Sequence, residues 1–90
     1  MLKIDPSKQA VKFLNTLPSK QAKQIAKKLM ALREQPSAPD VKKLTHSTYS
    51  RADIGEYRII FFVEKYTLFV PLIGKRNDGD IYKKMKRLPR

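Results

Sequence analysis

Two arginines in the second half of the chain have the chemistry to hold a phosphate group, and a tyrosine follows them. Arg58 begins a nearly continuous apolar run, Arg76 follows the next such run, and Tyr82 lies in the basic tail beyond it. A strand that is apolar almost throughout must be covered on both faces, so charges at strand ends gather at the rim of a buried sheet. This placement suits the gripping of phosphate.

Each of these residues also has an ordinary structural interpretation. The two arginines could instead form ion pairs with a nearby carboxylate, from Glu56, Asp53 or Asp78. Tyr82 could be a half-buried helix residue that caps the core, because tyrosine often buries its ring and leaves its hydroxyl at the surface. The residue types alone leave both interpretations open.

The composition favours an anionic partner. The 90 residues include 20 Lys and Arg against 8 Asp and Glu, which gives a formal net charge of +12. This exceeds what solubility requires and attracts polyanions, so nucleic acid is the leading partner class, with a solvated lysine-rich surface as the alternative. A chain of this length can bury one modest core, so we expect a single domain spanning residues 1–90.

Several classes of chemistry are excluded or disfavoured. The absence of cysteine rules out disulfides, thiolate chemistry and cysteine-based zinc sites. No metal site or cofactor is implied, and the single histidine, His46, cannot form an acid–base histidine pair. The chain has neither the apolar core of a signal peptide nor a run long enough to span a bilayer, so we expect a cytoplasmic protein without membrane contact.

The first half of the chain predicts a short strand and a helical hairpin. Leu2–Ile4 could form the strand, with Asp5 and Pro6 as the cap and first residue of a helix. Pro18 can begin a second helix. That helix would carry one apolar stripe, made of Ala22, Ile25, Ala26, Leu29 and Leu32.

The second half predicts three antiparallel strands. Residues 49–54 alternate as expected of a strand with one exposed face, and Gly55-Glu56 makes the following turn. Two β-branched and aromatic runs come next, joined by a tight hairpin at Glu64-Lys65. Pro71 interrupts the second run and indicates a bulge or a partly unpaired edge, because proline cannot donate to a ladder.

A short C-terminal helix should end the fold. We expect Asp78 to be its N-cap and Ile81, Met85 and Leu88 to lie on its buried side. The fold class is therefore α+β: an N-terminal strand and a helical hairpin packed on a small, mainly antiparallel sheet, with a short C-terminal helix.

The order of these elements, together with YSRADIGEYRIIF, LFVPLIGKR and DIYKKMKR, resembles the RelE/ParE toxin superfamily over nearly the whole chain. The Gly-Lys-Arg followed by a tyrosine in a basic tail favours the RelE branch. The resemblance implies the toxin of a type II toxin-antitoxin system, a ribosome-dependent endoribonuclease that cleaves mRNA in the ribosomal A site and inhibits translation. It also implies a cognate RelB-like antitoxin, with the ribosome, mRNA and contacts to 16S ribosomal RNA as the other partners.

The resemblance also assigns roles to residues of this chain. Arg58 and Arg76 match the family's two strand-end arginines, and Tyr82 matches its C-terminal tyrosine, which implies phosphate binding, base stacking and proton transfer. Arg51 and Tyr49 stand where RelE proteins tend to carry basic residues. Arg51 can still bind phosphate, but a guanidinium is a poor proton-transfer group, so no general base is identified.

The remaining basic residues are better suited to electrostatic contacts with RNA. We expect the RNA-binding residues to be Lys75, Lys83, Lys84, Lys86, Arg87 and Tyr49. A site without a strong acid–base pair should depend on the ribosome to orient its substrate, so free RNA should be cut poorly. The alternative function is non-enzymatic: a ParE-like gyrase inhibitor or an inactive antitoxin-binding module.

Overall fold

A five-stranded sheet lies between a helical hairpin and a short C-terminal helix in the computed structural model, which describes residues 1–77 and 79–87. The elements are β1 (Lys3–Pro6), α1 (Lys8–Asn15), α2 (Ser19–Glu34), β2 (Lys42–Lys43), β3 (Ser50–Ile54), β4 (Tyr57–Glu64), β5 (Thr67–Lys75) and α3 (Asp80–Met85). The strand order is β1-β5-β4-β3-β2, and the β1–β5 pair is parallel while the other pairs are antiparallel. The predicted fold class is confirmed.

The central strands β4 and β5 carry apolar residues at successive positions, and both of their faces pack against helices. One face packs against α1 and α2, with Ile25, Leu32, Ile59, Phe61, Leu68, Val70 and Ile73 at its centre. The other face packs against α3 in a smaller cluster of Tyr49, Ile60, Leu72 and Ile81. The second face therefore has only a partial cover, and its uncovered part is where charged side chains can lie.

The start of α1 differs from the prediction. β1 continues through Pro6, and the N-cap is Ser7 rather than Asp5. The Ser7 hydroxyl oxygen accepts a hydrogen bond from the backbone N–H of Ala10 at 3.1 Å, and the hydroxyl donates to the Pro71 carbonyl oxygen at 2.7 Å. Asp5-Pro6 is extended because these residues pair with Phe69 and Val70 of β5, so sheet pairing overrides the local capping preference.

Replacing Ser7 by Ala should lower the free energy of unfolding by about 1–2 kcal/mol, because one cap bond and one long-range bond are lost together. Urea denaturation would measure this loss. Ser37→Ala, at an exposed loop position, is the control and should change stability by less than about 0.5 kcal/mol. Equal effects of the two substitutions would contradict the role assigned to Ser7.

The predicted irregularity at Pro71 is confirmed as a bulge. Ile60 pairs with Leu72, but Phe62 pairs with Phe69, so two residues of β5 oppose one residue of β4 at this point. The hairpin turn lies one residue later than predicted, at Lys65-Tyr66, because Glu64 still pairs with Thr67. Lys65 takes a left-handed φ of 55°, which such two-residue turns need and which only glycine or asparagine adopts readily.

The predicted helical hairpin is present, with one correction to its apolar stripe. Ile25, Leu29 and Leu32 are buried against the sheet, whereas Ala26 is exposed, because the buried face is narrower than the sequence pattern suggested. Within residues 1–77 and 79–87, each helix is either too short or too polar to cross a membrane.

The C-terminal helix begins slightly later than predicted. Its N-cap position belongs to Gly79, and no side chain caps it. The predicted cap, Asp78, and the predicted core residue Leu88 lie outside the described residues. Ile81 is buried and Met85 packs beside it, as predicted for the inner side of this helix.

Candidate functional site

The sheet register brings the polar residues of three strands to one face, the face that α3 partly covers. Asp53 of β3 lies opposite Arg58 of β4, and Arg58 lies opposite Gly74 of β5. Arg51 is two residues before Asp53 and therefore on the same face. Strand alternation alone thus groups two arginines and a carboxylate at the end of the sheet where β4 begins.

Arg58 is the centre of this group. It is only 9% exposed, and its Nε donates to Asp53 Oδ1 at 2.7 Å while its Nη2 donates to Asp53 Oδ2 at 3.1 Å. Its Nη1 donates to the Tyr82 hydroxyl oxygen. The ion-pair alternative considered for Arg58 is therefore realised with Asp53, in the bidentate form that guanidinium and carboxylate favour.

The Tyr82 hydroxyl joins the two arginines. Its oxygen accepts a hydrogen bond from Arg51 Nη1 at 3.1 Å in addition to the bond from Arg58 Nη1. A phenolic oxygen has two acceptor positions and one proton, so two guanidinium donors leave its own O–H to donate outward. The guanidinium carbon of Arg58 also lies 5.6 Å from the centroid of the Tyr82 ring, a cation–π contact.

Gly74 lies where α3 packs on the sheet. A Cβ added at Gly74 would come within 3.1 Å of the Cδ1 atom of Ile81, so the end of that side chain would have to move by a few tenths of an ångström. Ile81 precedes Tyr82 and is buried against the sheet, which places the tyrosine on the same face. The glycine of the Gly-Lys-Arg motif therefore lets the Ile81 side chain pack closely on β5.

Arg76 lies at the same rim but is not bonded into the cluster. Its backbone N–H donates to the Glu56 carbonyl oxygen at 2.7 Å, while its side chain is exposed and forms no hydrogen bond or ion pair within the described part of the chain. It is close enough to act electrostatically on Asp53. Among the predicted site residues, the Arg76 guanidinium therefore has no bonded partner within the described part of the chain, whereas the Arg58 guanidinium bonds to Asp53 and Tyr82.

The ion pair changes the protonation of both partners. The hydrogen bond from Arg58 lowers the pKa of Asp53 most, and the charges of Arg58, Arg51 and Arg76 lower it further against the opposing effect of burial. The hydrogen bond to Asp53 raises the pKa of Arg58, against its own burial. The ion pair therefore favours the charged forms of the Asp53 carboxylate and the Arg58 guanidinium.

Asp53 should make stability depend on pH in the acidic range. Because its pKa is lower in the folded chain than in the unfolded chain, its contribution is present above about pH 4 and is lost as pH falls through the folded-state value. Urea denaturation of the native chain and of Asp53→Asn between pH 2 and pH 7 would measure this. The native chain should be the more stable near pH 7, and the difference should shrink towards pH 2; a difference independent of pH would contradict the ion pair.

The predicted RNA-binding residues divide into two groups. Lys75, Lys83, Lys84, Lys86 and Arg87 are exposed, as an electrostatic contact requires. Tyr49 is only 2% exposed and packs against Phe62 with its ring edge, so it is a core residue and its predicted contact with RNA is wrong. His46 is exposed in a loop with a φ of 56°.

Two contributions to this face were missed by sequence reasoning. Asp53 had been considered only as a competitor for the arginines, yet it orients Arg58 towards Tyr82. Lys42 of β2 lies directly opposite Arg51 and so shares its face. Only the pairing of β2 with β3 places Lys42 on this face, and that pairing cannot be predicted from the sequence of a two-residue strand. Within the described residues, no group of three or more His, Cys, Asp or Glu could hold a metal ion.

Comparison with solved structures relates this fold to known proteins. A double mutant of the E. coli toxin RelE in the free state has a TM-score of 0.81 and 25% identity, over 97% of each chain. The archaeal RelE–RelB complex from Pyrococcus horikoshii OT3 gives 0.75 and 25%, over 84% of this chain and 96% of that one. The YoeB–YefM complex from Staphylococcus aureus gives 0.68 and 21%, over 87% and 99%, which indicates the fold alone. No family model matches the chain, and no curated protein matches it significantly.

These matches show which class of protein shares this fold. The chain has the fold of RelE toxins, complete from β1 to α3, and the resemblance to the RelE/ParE toxin superfamily is confirmed. The similarity covers nearly the whole chain, so the cluster of Arg51, Arg58 and Tyr82 lies within the matched region.

Proposed function

We propose that this protein is the toxin of a type II toxin-antitoxin system and that it cleaves mRNA bound in the ribosomal A site. The observation that carries the proposal is the Tyr82 hydroxyl held between two guanidinium groups, with a third guanidinium exposed at the same rim. The RelE fold supports it. The site supplies cations that can stabilise the charge of a phosphodiester cleavage and one positioned O–H group that can donate a proton.

In this reaction the 2′-hydroxyl of the RNA loses its proton to water, and its oxygen bonds to the adjacent phosphorus to form a 2′,3′-cyclic phosphate. The bond from phosphorus to the 5′-oxygen of the next nucleotide breaks, and that oxygen takes up a proton. The phosphorus passes through a five-coordinate state with extra negative charge, so fixed cations close to it have the largest effect on rate. Arg76 and Arg51 are the guanidinium groups with capacity to bind the phosphate oxygens. Arg58 mainly orients Tyr82, because its Nε and Nη2 atoms donate to Asp53 and its Nη1 atom donates to the Tyr82 hydroxyl oxygen.

Tyr82 has the geometry of a proton donor to the departing 5′-oxygen. Two arginines donate to its oxygen, so its own O–H remains available to donate to a substrate. The ring is only partly buried, so a base can stack on the part that remains exposed. No carboxylate or histidine is placed as a strong general base, and we therefore expect dependence on the ribosome for substrate orientation.

The partner implied by the fold is a RelB-like antitoxin. Several of the similar structures are complexes of a RelE protein with RelB, including those from Pyrococcus horikoshii and E. coli. A net charge of +12 favours an acidic antitoxin segment that covers the basic face of this chain. With mRNA and ribosomes as targets, the site of action would be the cytoplasm.

Primer extension on mRNA from a purified translation system tests the proposal, with and without ribosomes. We expect breaks at A-site codons only when ribosomes are present. Intact mRNA under both conditions would contradict the nuclease function, and a supercoiling assay with gyrase would then test the ParE-like alternative. Equal cleavage of free mRNA would contradict the requirement for the ribosome.

A further inference from the structure

The two lysines of the edge strand β2 lie on opposite faces of the sheet. Lys42 pairs with Arg51 and therefore lies on the face that carries Tyr82, whereas Lys43 pairs with Ser50 and lies on the face covered by the helical hairpin. Both lysines are exposed. The two lysines are adjacent in sequence and carry the same charge, so they differ mainly in the face of the sheet on which they lie.

A small polar pocket lies between Lys42 and the arginine cluster, lined by Asp40, Lys42, Arg51 and Asp53. Its two carboxylates are already neutralised by cations from outside the pocket lining. Asp53 is held by Arg58, and Asp40 forms an ion pair with Lys28. These carboxylates therefore have little remaining charge to offer a cation in the pocket.

Neither cation of the pocket forms an ion pair with a carboxylate within residues 1–77 and 79–87, although the charge of Arg51 acts on Asp53. In the same part of the chain, Lys42 has no hydrogen bond from its side chain, and the side chain of Arg51 donates only to the Tyr82 hydroxyl oxygen. Like charges directly opposite each other on neighbouring strands are unfavourable. An anion between Lys42 and Arg51 would relieve that repulsion and would meet one cationic donor from each of two adjacent strands.

We propose that Lys42 and Arg51 form a phosphate-binding subsite for single-stranded RNA, next to the position where Tyr82 meets the scissile phosphate. This inference rests on the proposed function, because the substrate is taken to be RNA. The subsite holds a neighbouring phosphodiester of the same strand, and Arg51 lies between this phosphodiester and the scissile one. It extends the site from the arginine cluster to the edge of the sheet and gives the strand a fixed direction across that face.

The comparison of Lys42→Ala with Lys43→Ala tests this subsite. The probe is an RNA trinucleotide with 2′-deoxy substitutions, which cannot be cleaved through its own hydroxyl, titrated against each full-length variant and followed by amide NMR shifts. Lys42→Ala should weaken binding about five- to tenfold, and Lys43→Ala less than about twofold. When the trinucleotide is added, the backbone amide signals of Arg51 and its neighbours should shift in the native chain and should shift less in the Lys42→Ala variant.

Two outcomes would overturn the subsite. Equal weakening by both substitutions would show general electrostatic attraction, and no weakening by Lys42→Ala would show that the lysine makes no contact. Thermal melting controls the fold: Lys42→Ala should melt no lower than the native chain, because it removes a like-charge pair.

Ribosome-dependent cleavage, measured in parallel, separates the subsite from the proposed function. A native chain that binds the trinucleotide through Lys42 but leaves mRNA intact retains the subsite and contradicts the nuclease. A native chain that cleaves mRNA, with equal binding by the two lysine variants, retains the nuclease and contradicts the subsite.

Discussion

Replacing Tyr82 by Phe should lower ribosome-dependent mRNA cleavage by about 10²- to 10³-fold while leaving the fold intact. The substitution removes a single O–H, the group that the two arginines orient outward, and general acid catalysis typically contributes that much. The aromatic ring remains, so the side chain can still stack on a base and still packs on the face of the sheet that α3 covers. The free energy of unfolding should fall by at most about 1 kcal/mol, because two guanidinium groups near solvent lose one acceptor.

Tyr66→Phe is the matched control for this prediction. Tyr66 is 82% exposed at the β4–β5 turn, at the end of β4 remote from Arg58, and its substitution should leave cleavage within about twofold of the native rate. Single-turnover cleavage on programmed ribosomes would measure both variants. A Tyr82→Phe protein with native activity would remove the hydroxyl from the reaction and leave only stacking for the tyrosine.

Replacing Arg58 by Ala should reduce cleavage by about 10³-fold and also destabilise the fold. The guanidinium is nearly buried, so its removal leaves the Asp53 carboxylate without its bidentate partner and frees the Tyr82 hydroxyl to rotate. Breaking a fully buried pair costs about 3–5 kcal/mol. The side chain of Asp53 is 36% exposed, and we therefore expect a smaller loss of about 1–3 kcal/mol.

The double variant Asp53→Ala with Arg58→Ala separates the two effects of Arg58. Removing the orphaned carboxylate should restore about 1 kcal/mol of stability relative to Arg58→Ala alone, because no unpaired charge remains. Cleavage should stay at the level of the single variant, since Tyr82 remains unoriented. Recovery of activity together with stability would indicate that Arg58 serves only the fold.

The sequence by itself determined the class of fold and the identity of the charged residues that surround the site. Apolar spacing after Pro18 was sufficient for the long helix, and the proline at 71 was sufficient for the bulge, because both depend on local geometry. The arginines at the strand ends were also recognisable, since nearly continuous apolar strands leave few places for charge. These features are encoded within a few residues of where they act.

Only the tertiary structure decided which of those residues work together. The register between β3 and β4 places Asp53 against Arg58, and a shift of one residue would have moved every side chain of the strand to the other face. The same dependence on register hides Tyr49 in the core and brings Lys42 beside Arg51. Side-chain partners across strands are set by the pairing of distant segments, which is a property of the assembled sheet and not of any local stretch of sequence.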